Sequence, residues 1–418
     1  MGSTVNHASI RAMAEEWIRY DPNAVTRGHI QENLVANKYS DLSMRLGTRL
    51  AFGTAGLRGP FGAGTNRMND LVVLQTAQGL CRYLEKEFAN KPEFRDNGIC
   101  IGYDHRAMDT DILSSKSFAL VAAAVFISQG VKVHLFDHFV ATPLVPFCVE
   151  QRGCAAGIMV TASHNPKDDN GFKVYWANGA QIVPPHDKGI EACIAQNLVP
   201  FTEALELLSI PTELSSNGTG VITDANRLRK SPLCSNPTDE IGKLYFDALS
   251  ERVCHYRDEN SHSVAIPITY TAMHGVGHAW TSRSFEAFGL HPYIPVEQQI
   301  EPDPTFPTVS FPNPEEGEGA LMLGFATAEE AGSRVVIAND PDADRLAAAE
   351  RDPSTGIWRV FSGNEIGVLL GHWQWLQHKS NKARYPKGVA MLASTVSSKM
   401  LGAMAEEEGF HFEETLTG

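Results

Sequence analysis

Short apolar runs alternate with amphipathic stretches along much of the chain. Residues 99–103, 131–136 and 157–160 are apolar and short, as strands are. Between the first two runs, the apolar side chains of residues 117–129 recur at the spacing of one helical stripe. Strand–helix–strand alternation is typical of parallel sheets covered by helices. The pattern therefore predicts an α/β fold of consecutive domains with mixed, largely parallel sheets.

Turn-rich sequence interrupts this pattern and divides the chain into three predicted units. Residues 215–220 and 230–237 are rich in Ser, Asn, Gly and Pro, so we place a boundary near residue 205. The predicted domains are residues 1–205, 206–352 and 353–418. The third unit is short for a domain, and we expect it to be incomplete.

The same patterns predict individual elements in the second and third units. Apolar strands are expected over 264–271, 333–338 and 345–349. In the third unit, Ser362 and Glu365 have the spacing of a capping box, which predicts a helix starting there.

Composition narrows the choice of partners. The net charge of −14 over 418 residues argues against nucleic acid or an anionic membrane as the main partner. No apolar run is long enough to span a bilayer, and the seven cysteines form no CxxC pair. We therefore expect a cytoplasmic protein with no nucleic-acid or membrane partner. The sequence leaves the oligomeric state open.

Three carboxylates at alternate positions follow one predicted strand. Asp340, Asp342 and Asp344 would point to one side of an extended turn, where a hard cation such as magnesium or calcium would relieve their repulsion. An EF-hand is excluded because its Gly and Glu positions are Arg345 and Arg351. A Walker-B acid lacks its GxxxxGK[ST] partner, and a simple acidic turn remains the alternative.

A serine follows another predicted strand. Asn165-Pro166 favours a turn that would leave Ser163 exposed at the carboxyl end of the strand, where α/β folds bind ligands. GxSxG is absent, so this is no hydrolase elbow. Lys173 lies close enough in sequence to fold back on the serine. Taken alone, the serine could be a turn residue and the lysine a solvated side chain.

These motifs together resemble those of one enzyme family. The sequences TASHNP (161–166), DPDADR (340–345) and FGTAGLRG (52–59) resemble the phosphoserine, metal and N-terminal loops of the α-D-phosphohexomutases. Three further motifs are similar to the phosphoglucomutase-2/phosphopentomutase branch, which includes glucose-1,6-bisphosphate synthase. They are YWANGAQI (175–182), TAMHGVG (271–277) and FSGNEI (361–366).

The resemblance implies a phosphoryl-transfer site. Ser163 would be the phosphoserine, and Lys173 would assist proton transfer if its pKa is lowered by burial or nearby cations. Mg²⁺ would be held by a phosphate oxygen on Ser163 and by the three aspartates, with glucose 1,6-bisphosphate as primer. The substrate would be contacted by Arg58, His164, Asp344 and Arg345.

The resemblance also implies the reaction and its alternatives. The expected enzyme is a phosphosugar mutase that interconverts glucose 1- and 6-phosphate, or ribose or deoxyribose 1- and 5-phosphate. A glucose-1,6-bisphosphate synthase is one alternative. The family's sugar-recognition loop and fourth domain have no counterpart in these residues. A C-terminally incomplete, catalytically crippled protein that binds phosphosugar and magnesium is therefore the other alternative.

Overall fold

The computed structural model describes most of the chain. The described residues are 7–91, 93–108, 112–208, 225–264, 266–316, 318–381 and 386–416. They form two large mixed sheets and one small parallel pair of strands, with helices packed around them. The predicted α/β class with mixed, largely parallel sheets is confirmed.

The first sheet has six strands in the order β1-β5-β4-β2-β3-β6. Its strands are β1 (Leu57–Pro60), β2 (Ile99–Tyr103), β3 (Val133–Leu135), β4 (Ala156–Val160), β5 (Asp169–Trp176) and β6 (Cys234–Ser235). The strands β4, β2, β3 and β6 run parallel, whereas β1 and β5 are antiparallel to their neighbours. Every residue of β2 and β4 is buried, as expected for strands covered on both faces.

Ten helices surround this sheet within the described residues. They are α1 (His7–Tyr20), α2 (Ala24–Val35), α3 (Tyr39–Leu46), α4 (Asp70–Glu87), α5 (Phe94–Asn97), α6 (Ser115–Ser128), α7 (Leu144–Arg152), α8 (His186–Gln196), α9 (Thr202–Leu208) and α10 (Ala225–Arg229). Helix α6 is apolar on nearly all sides and lies in the core, with Ser114 and Ser117 forming its capping box.

The second sheet has five strands in the order β11-β10-β9-β7-β8. Its strands are β7 (Ile268–Thr271), β8 (Ile294–Pro295), β9 (Val335–Asn339), β10 (Leu346–Arg351) and β11 (Trp358–Phe361). The associated helices are α11 (Thr238–Arg252), α12 (Arg257–His262), α13 (Gly277–Ala287) and α14 (Glu318–Ala331), with 3₁₀ turns at Glu297–Gln299 and Pro314–Glu316. Strands β9 and β10 form a hairpin in which Asn339 pairs with Leu346, so residues 340–345 are its turn.

The last part of the chain forms a small β–α unit. It consists of α15 (Gly363–Ser380), β12 (Ala390–Ser394), α16 (Met400–Glu408) and β13 (His411–Thr415). The predicted capping box is confirmed, because Ser362 and Glu365 exchange side-chain and backbone hydrogen bonds at the start of α15. No helix in the described part of the chain combines the length and apolar character needed to cross a membrane.

The predicted division into three domains stays a prediction. Strand β6 belongs to residues 206–352 by sequence but pairs with β3 in the first sheet. The turn-rich residues 215–220 lie outside the described residues. Most predicted strands are present, with bounds that differ by a few residues because hydrophobicity marks a strand more clearly than its ends do.

Candidate active site

Ser163 lies in a tight turn directly after β4. Its backbone N–H donates to Oγ1 of Thr161 at 2.8 Å, and its φ of +53° is unusual for a residue other than glycine. The prediction that Ser163 is exposed is wrong, because only 2% of the residue is accessible. The hydroxyl instead points at the acidic turn and donates to Oδ2 of Asp340 at 2.9 Å.

The acidic turn gathers its three carboxylates on one side. Oδ1 of Asp340 accepts the backbone N–H groups of Asp344 (3.1 Å) and Arg345 (2.9 Å), which closes the turn. One oxygen from each of Asp340, Asp342 and Asp344 lies within 4.8 Å of the others. The predicted convergence of the three side chains is confirmed.

Residues 271–277 form a platform under this turn. The backbone N–H of Val276 donates to the carbonyl of Pro341 at 2.8 Å. A Cβ atom at Gly275 would lie 2.3 Å from Cα of Pro341, so only glycine allows this approach. The sequence identified this segment only through its resemblance, without a role.

Thr142 connects the first sheet to the acidic turn. Its hydroxyl donates to Oδ2 of Asp342 at 2.6 Å, and its backbone N–H donates to the carbonyl of the same residue at 2.9 Å. Sequence reasoning missed this residue. The two positions are 200 residues apart, and no local pattern indicates the contact.

Lys173, on β5, is buried against the acidic turn. Its ammonium nitrogen lies 2.7 Å from Oδ2 of Asp342 and 2.8 Å from Oδ2 of Asp344. Burial alone would lower the pKa of Lys173, but attraction to the two carboxylates outweighs it and the pKa is raised. The condition set from the sequence, a pKa of Lys173 lowered by burial or nearby cations, is therefore not met.

The carboxylates respond differently to their surroundings. Burial, followed by the charges of Asp342 and Asp344, raises the pKa of Asp340. Burial would also raise the pKa of Asp342, but the Lys173 ammonium and hydrogen bonds hold it below its usual value. Oδ1 of Asp342 is buried without a hydrogen-bond donor among the described residues. An oxygen-only cluster with an unpaired acceptor suits a hard divalent cation.

Two of the predicted arginines lie close to the serine turn and the acidic turn. Arg58, on β1, donates to Oδ1 of Asn165 at 3.0 Å. Arg345 donates to Glu315 at 3.1 Å, and its Nε lies 4.0 Å from Asp340.

His164 is half-buried beside the serine. Its Nδ1 lies 3.4 Å from the hydroxyl of Ser163, at the long limit for a hydrogen bond. Burial and the nearby Arg345 and Arg58 lower the pKa of His164 to about 4, so its ring is neutral at pH 7. It can therefore offer a neutral N–H or an acceptor to a phosphate, but no positive charge.

Arg106 supports the backbone of the serine turn, and sequence reasoning missed this residue. Its buried guanidinium donates to four backbone carbonyls around the turn: Ser163 (2.5 Å), Asn165 (2.6 Å), Pro166 (2.7 Å) and Asp169 (3.2 Å). One side chain thus fixes the backbone from Ser163 to Asp169.

A second layer of contacts orients Arg106. Asp104 lies 3.4 Å from Nε of Arg106 and accepts a 2.5 Å hydrogen bond from Ser115. The guanidinium also lies 5.2 Å from the centre of the Phe306 ring. The only available sequence signal was that strand 99–103 ends at Asp104, at the same sheet edge as the serine.

Comparison with known proteins places this geometry in a family. Residues 49–199 match phosphoglucomutase/phosphomannomutase, alpha/beta/alpha domain I, and residues 243–356 match domain II. The chain is 47% identical to a phosphopentomutase of Homo sapiens over 406 residues, which are 96% of this chain and 62% of that protein. Over the same length it is 45% identical to a glucose 1,6-bisphosphate synthase of Homo sapiens, covering 61% of it. The chain therefore spans less than two thirds of these relatives.

Solved structures share the fold. A phosphoglucomutase/phosphomannomutase family protein from Burkholderia thailandensis superposes with a TM-score of 0.61 at 18% identity, over 88% of this chain and 66% of that one. Parafusin, a phosphoglucomutase from Paramecium, superposes with a TM-score of 0.57 at 16% identity, over 89% and 63% of the two chains.

Proposed function

This chain belongs to the α-D-phosphohexomutases, in the phosphoglucomutase-2/phosphopentomutase branch, and from that membership we propose that it transfers a phosphoryl group between Ser163 and a sugar phosphate. One observation carries the proposal. The hydroxyl of Ser163 donates to Asp340 within a cluster of three carboxylates and the Lys173 ammonium, in which Asp340 and Asp342 are buried. Such a cluster suits charge neutralisation around a transferring phosphoryl group.

The proposed reaction runs in two steps. In the first, the bond between phosphorus and Oγ of phosphorylated Ser163 breaks, a bond between phosphorus and a sugar oxygen forms, and the proton of that sugar hydroxyl ends on the released Oγ. The product is a sugar bisphosphate. In the second step, the other phosphoryl group leaves its sugar oxygen and forms a bond to Oγ of Ser163, and the proton of Oγ ends on the released sugar oxygen. A 1-phosphate thus becomes a 5- or 6-phosphate.

The metal proposed for this site is Mg²⁺. Asp340, Asp342 and Asp344 would hold it, since their oxygens converge and one oxygen of Asp342 lacks a donor. When bound, magnesium supplies positive charge to the oxygens of the transferring phosphoryl group.

The remaining side chains divide between proton transfer and binding. As an ammonium, Lys173 can give a proton to a departing oxygen. Accepting a proton would require the neutral amine, which contact with Asp342 and Asp344 disfavours. Arg58 and Arg345 border the serine and can offer guanidinium forks to phosphate oxygens. His164 and Asp344 complete the proposed contacts with substrate.

We propose a pentose phosphate, ribose or deoxyribose 1-phosphate, as the substrate. A phosphopentomutase of Mus musculus is 47% identical, and a phosphoribomutase of Saccharomyces cerevisiae is 40% identical. The glucose 1-/6-phosphate pair and glucose-1,6-bisphosphate synthesis form the second candidate, because relatives named for the synthase are 45% identical. Glucose 1,6-bisphosphate would prime the serine. The described cysteines are all free, which supports a reducing cytoplasm.

The test is phosphoenzyme formation. The purified chain is incubated with Mg²⁺ and glucose 1,6-bisphosphate, and intact mass is read for one added phosphoryl group, which fragmentation then locates. The expected carrier is Ser163, with no label in Ser163→Ala and normal label in Ser282→Ala, a change at an exposed serine. Turnover of ribose 1-phosphate and glucose 1-phosphate is measured in parallel. Full labelling or turnover of Ser163→Ala would overturn the proposal.

A further inference from the structure

A cavity with basic side chains in its wall lies beside α2, α3 and the loop that follows β1. Its volume is about 280 Å³. Basic side chains and apolar ones share its wall, including Arg45, Arg67, His29, Phe61, Val25 and Leu113. None of the residues assigned above to the phosphoryl-transfer site lines this cavity.

One guanidinium of the cavity has no ion-pair partner among the described residues. Arg45 is paired, since it lies 3.0 Å from Asp41 and donates to the carbonyl of Ala63 at 3.1 Å. Arg67 forms no side-chain hydrogen bond or ion pair with any described residue, and its Nε is buried without a partner. Burial and the charge of Arg45 lower the pKa of His29, so the positive charge of the cavity comes from its two arginines. A buried, unpaired donor is costly unless a ligand satisfies it.

The loop that carries Arg67 is held in a fixed shape. Asn69 donates to the carbonyls of Gly62 and Gly64, both at 2.8 Å. The φ angles of these glycines are +136° and +135°, and a Cβ at Gly64 would lie 2.7 Å from the carbonyl oxygen of Arg45. Arg67 is therefore presented by a close-packed loop, and Arg45 by helix α3.

We propose that this cavity binds a compact organic anion through Arg67 and Arg45, with its apolar body against Phe61 and Leu113. The head group is a carboxylate or a phosphate monoester, since a guanidinium fork matches both. The cavity also borders the segment after the serine turn, because the backbone N–H of Phe61 donates to the carbonyl of Asp168 at 2.8 Å. This inference does not depend on the proposed phosphoryl transfer.

Fluorine NMR titration of the whole chain tests the binding with two probes, 4-fluorobenzoate and 4-fluorophenyl phosphate. Saturable binding of at least one probe is expected, and the preferred probe identifies the head group. Arg67→Gln should weaken the affinity for the preferred probe about tenfold or more through loss of a charge-assisted contact. Arg58→Gln separates this cavity from the serine site and should leave the affinity unchanged. Arg334→Gln, a change at a distant exposed arginine, is the matched control and should also bind as wild type.

A second variant covers the case in which Arg67→Gln does not fold. Val25 lines the cavity with 38% of its surface exposed, so Val25→Trp can obstruct it at little cost to folding. Both variants are checked by thermal melting. Loss of probe binding in the folded variants supports the proposal. It is overturned if neither probe binds the wild type, if Val25→Trp binds normally, or if affinity depends on Arg58 instead of Arg67.

Discussion

The ammonium nitrogen of Lys173 lies 2.7 Å from Oδ2 of Asp342, and both groups are almost completely removed from solvent. The same ammonium reaches Asp344, so it holds two of the three converging carboxylates together. Lys173 is therefore an internal counter-ion of the acidic turn.

We expect Lys173→Met to make the protein more dependent on magnesium. Without the ammonium, the buried charge of Asp342 loses its partner, and removing one member of a buried pair costs about 3–5 kcal/mol of unfolding free energy. Urea unfolding in EDTA measures this loss. Added Mg²⁺ should then restore more stability in the variant than it adds to the wild type.

Lys188→Met is the matched control, because its lysine pairs with Glu191 on the surface. It should change neither the stability in EDTA nor the response to Mg²⁺. Equal behaviour of the two variants would show that Lys173 does not neutralise the turn.

The sequence predicted the sheets well because a strand that is buried on both faces is a continuous run of apolar or small residues. Strand β4 consists of apolar or small residues and was expected over 157–160. The exposure of Ser163 was predicted wrongly because its cover comes from Asp340, 177 residues later in the chain. The role of Arg106 was missed because its partners are backbone carbonyls, and any residue type can supply those.

Arg106→Lys tests whether Arg106 positions the serine turn for phosphoryl transfer. Lysine keeps the charge opposite Asp104 but cannot direct a planar fork at four carbonyls. We expect the rate of Ser163 phosphorylation and kcat to fall about tenfold or more, which corresponds to ~1.4 kcal/mol, with little change in KM.

The control for this change is Arg82→Lys, at a partly exposed arginine paired with Glu85. Its kinetics should match those of the wild type. A rise in KM at constant kcat in Arg106→Lys would instead place the arginine in substrate binding, contrary to its contacts.

Gly275→Ala should disturb the acidic turn through its platform. The new methyl group would overlap Cα of Pro341, so the backbone between Asp340 and Asp342 must move. We expect about 1–3 kcal/mol of destabilisation and about tenfold weaker Mg²⁺ binding by calorimetry. Gly367→Ala is the control, since nothing lies within 4 Å of its added methyl group. Unchanged Mg²⁺ affinity in Gly275→Ala would contradict a close coupling between platform and turn.

Asp70, at the start of α4, should make stability fall as the pH rises. Burial raises the pKa of this carboxyl from 3.8 to about 7, and its main partner is the Asn23 side chain at 2.8 Å. Between these values the folded protein keeps a proton that the unfolded chain releases. The stabilisation is therefore complete below pH 3.8 and is lost as the pH rises through about 7.

Asp70→Asn tests whether Asp70 makes stability fall as the pH rises, because the asparagine amide has the same shape as the carboxyl group and cannot ionise. From pH 5 to pH 8 the wild type should lose about 2–3 kcal/mol more unfolding free energy than the variant does. Some slope should remain in the variant, since burial also raises the pKa of Asp21 to about 6. Asp239→Asn, at an exposed aspartate, should keep the wild-type slope. Parallel pH profiles for the wild type and Asp70→Asn would mean that Asp70 is ionised in the folded protein at neutral pH.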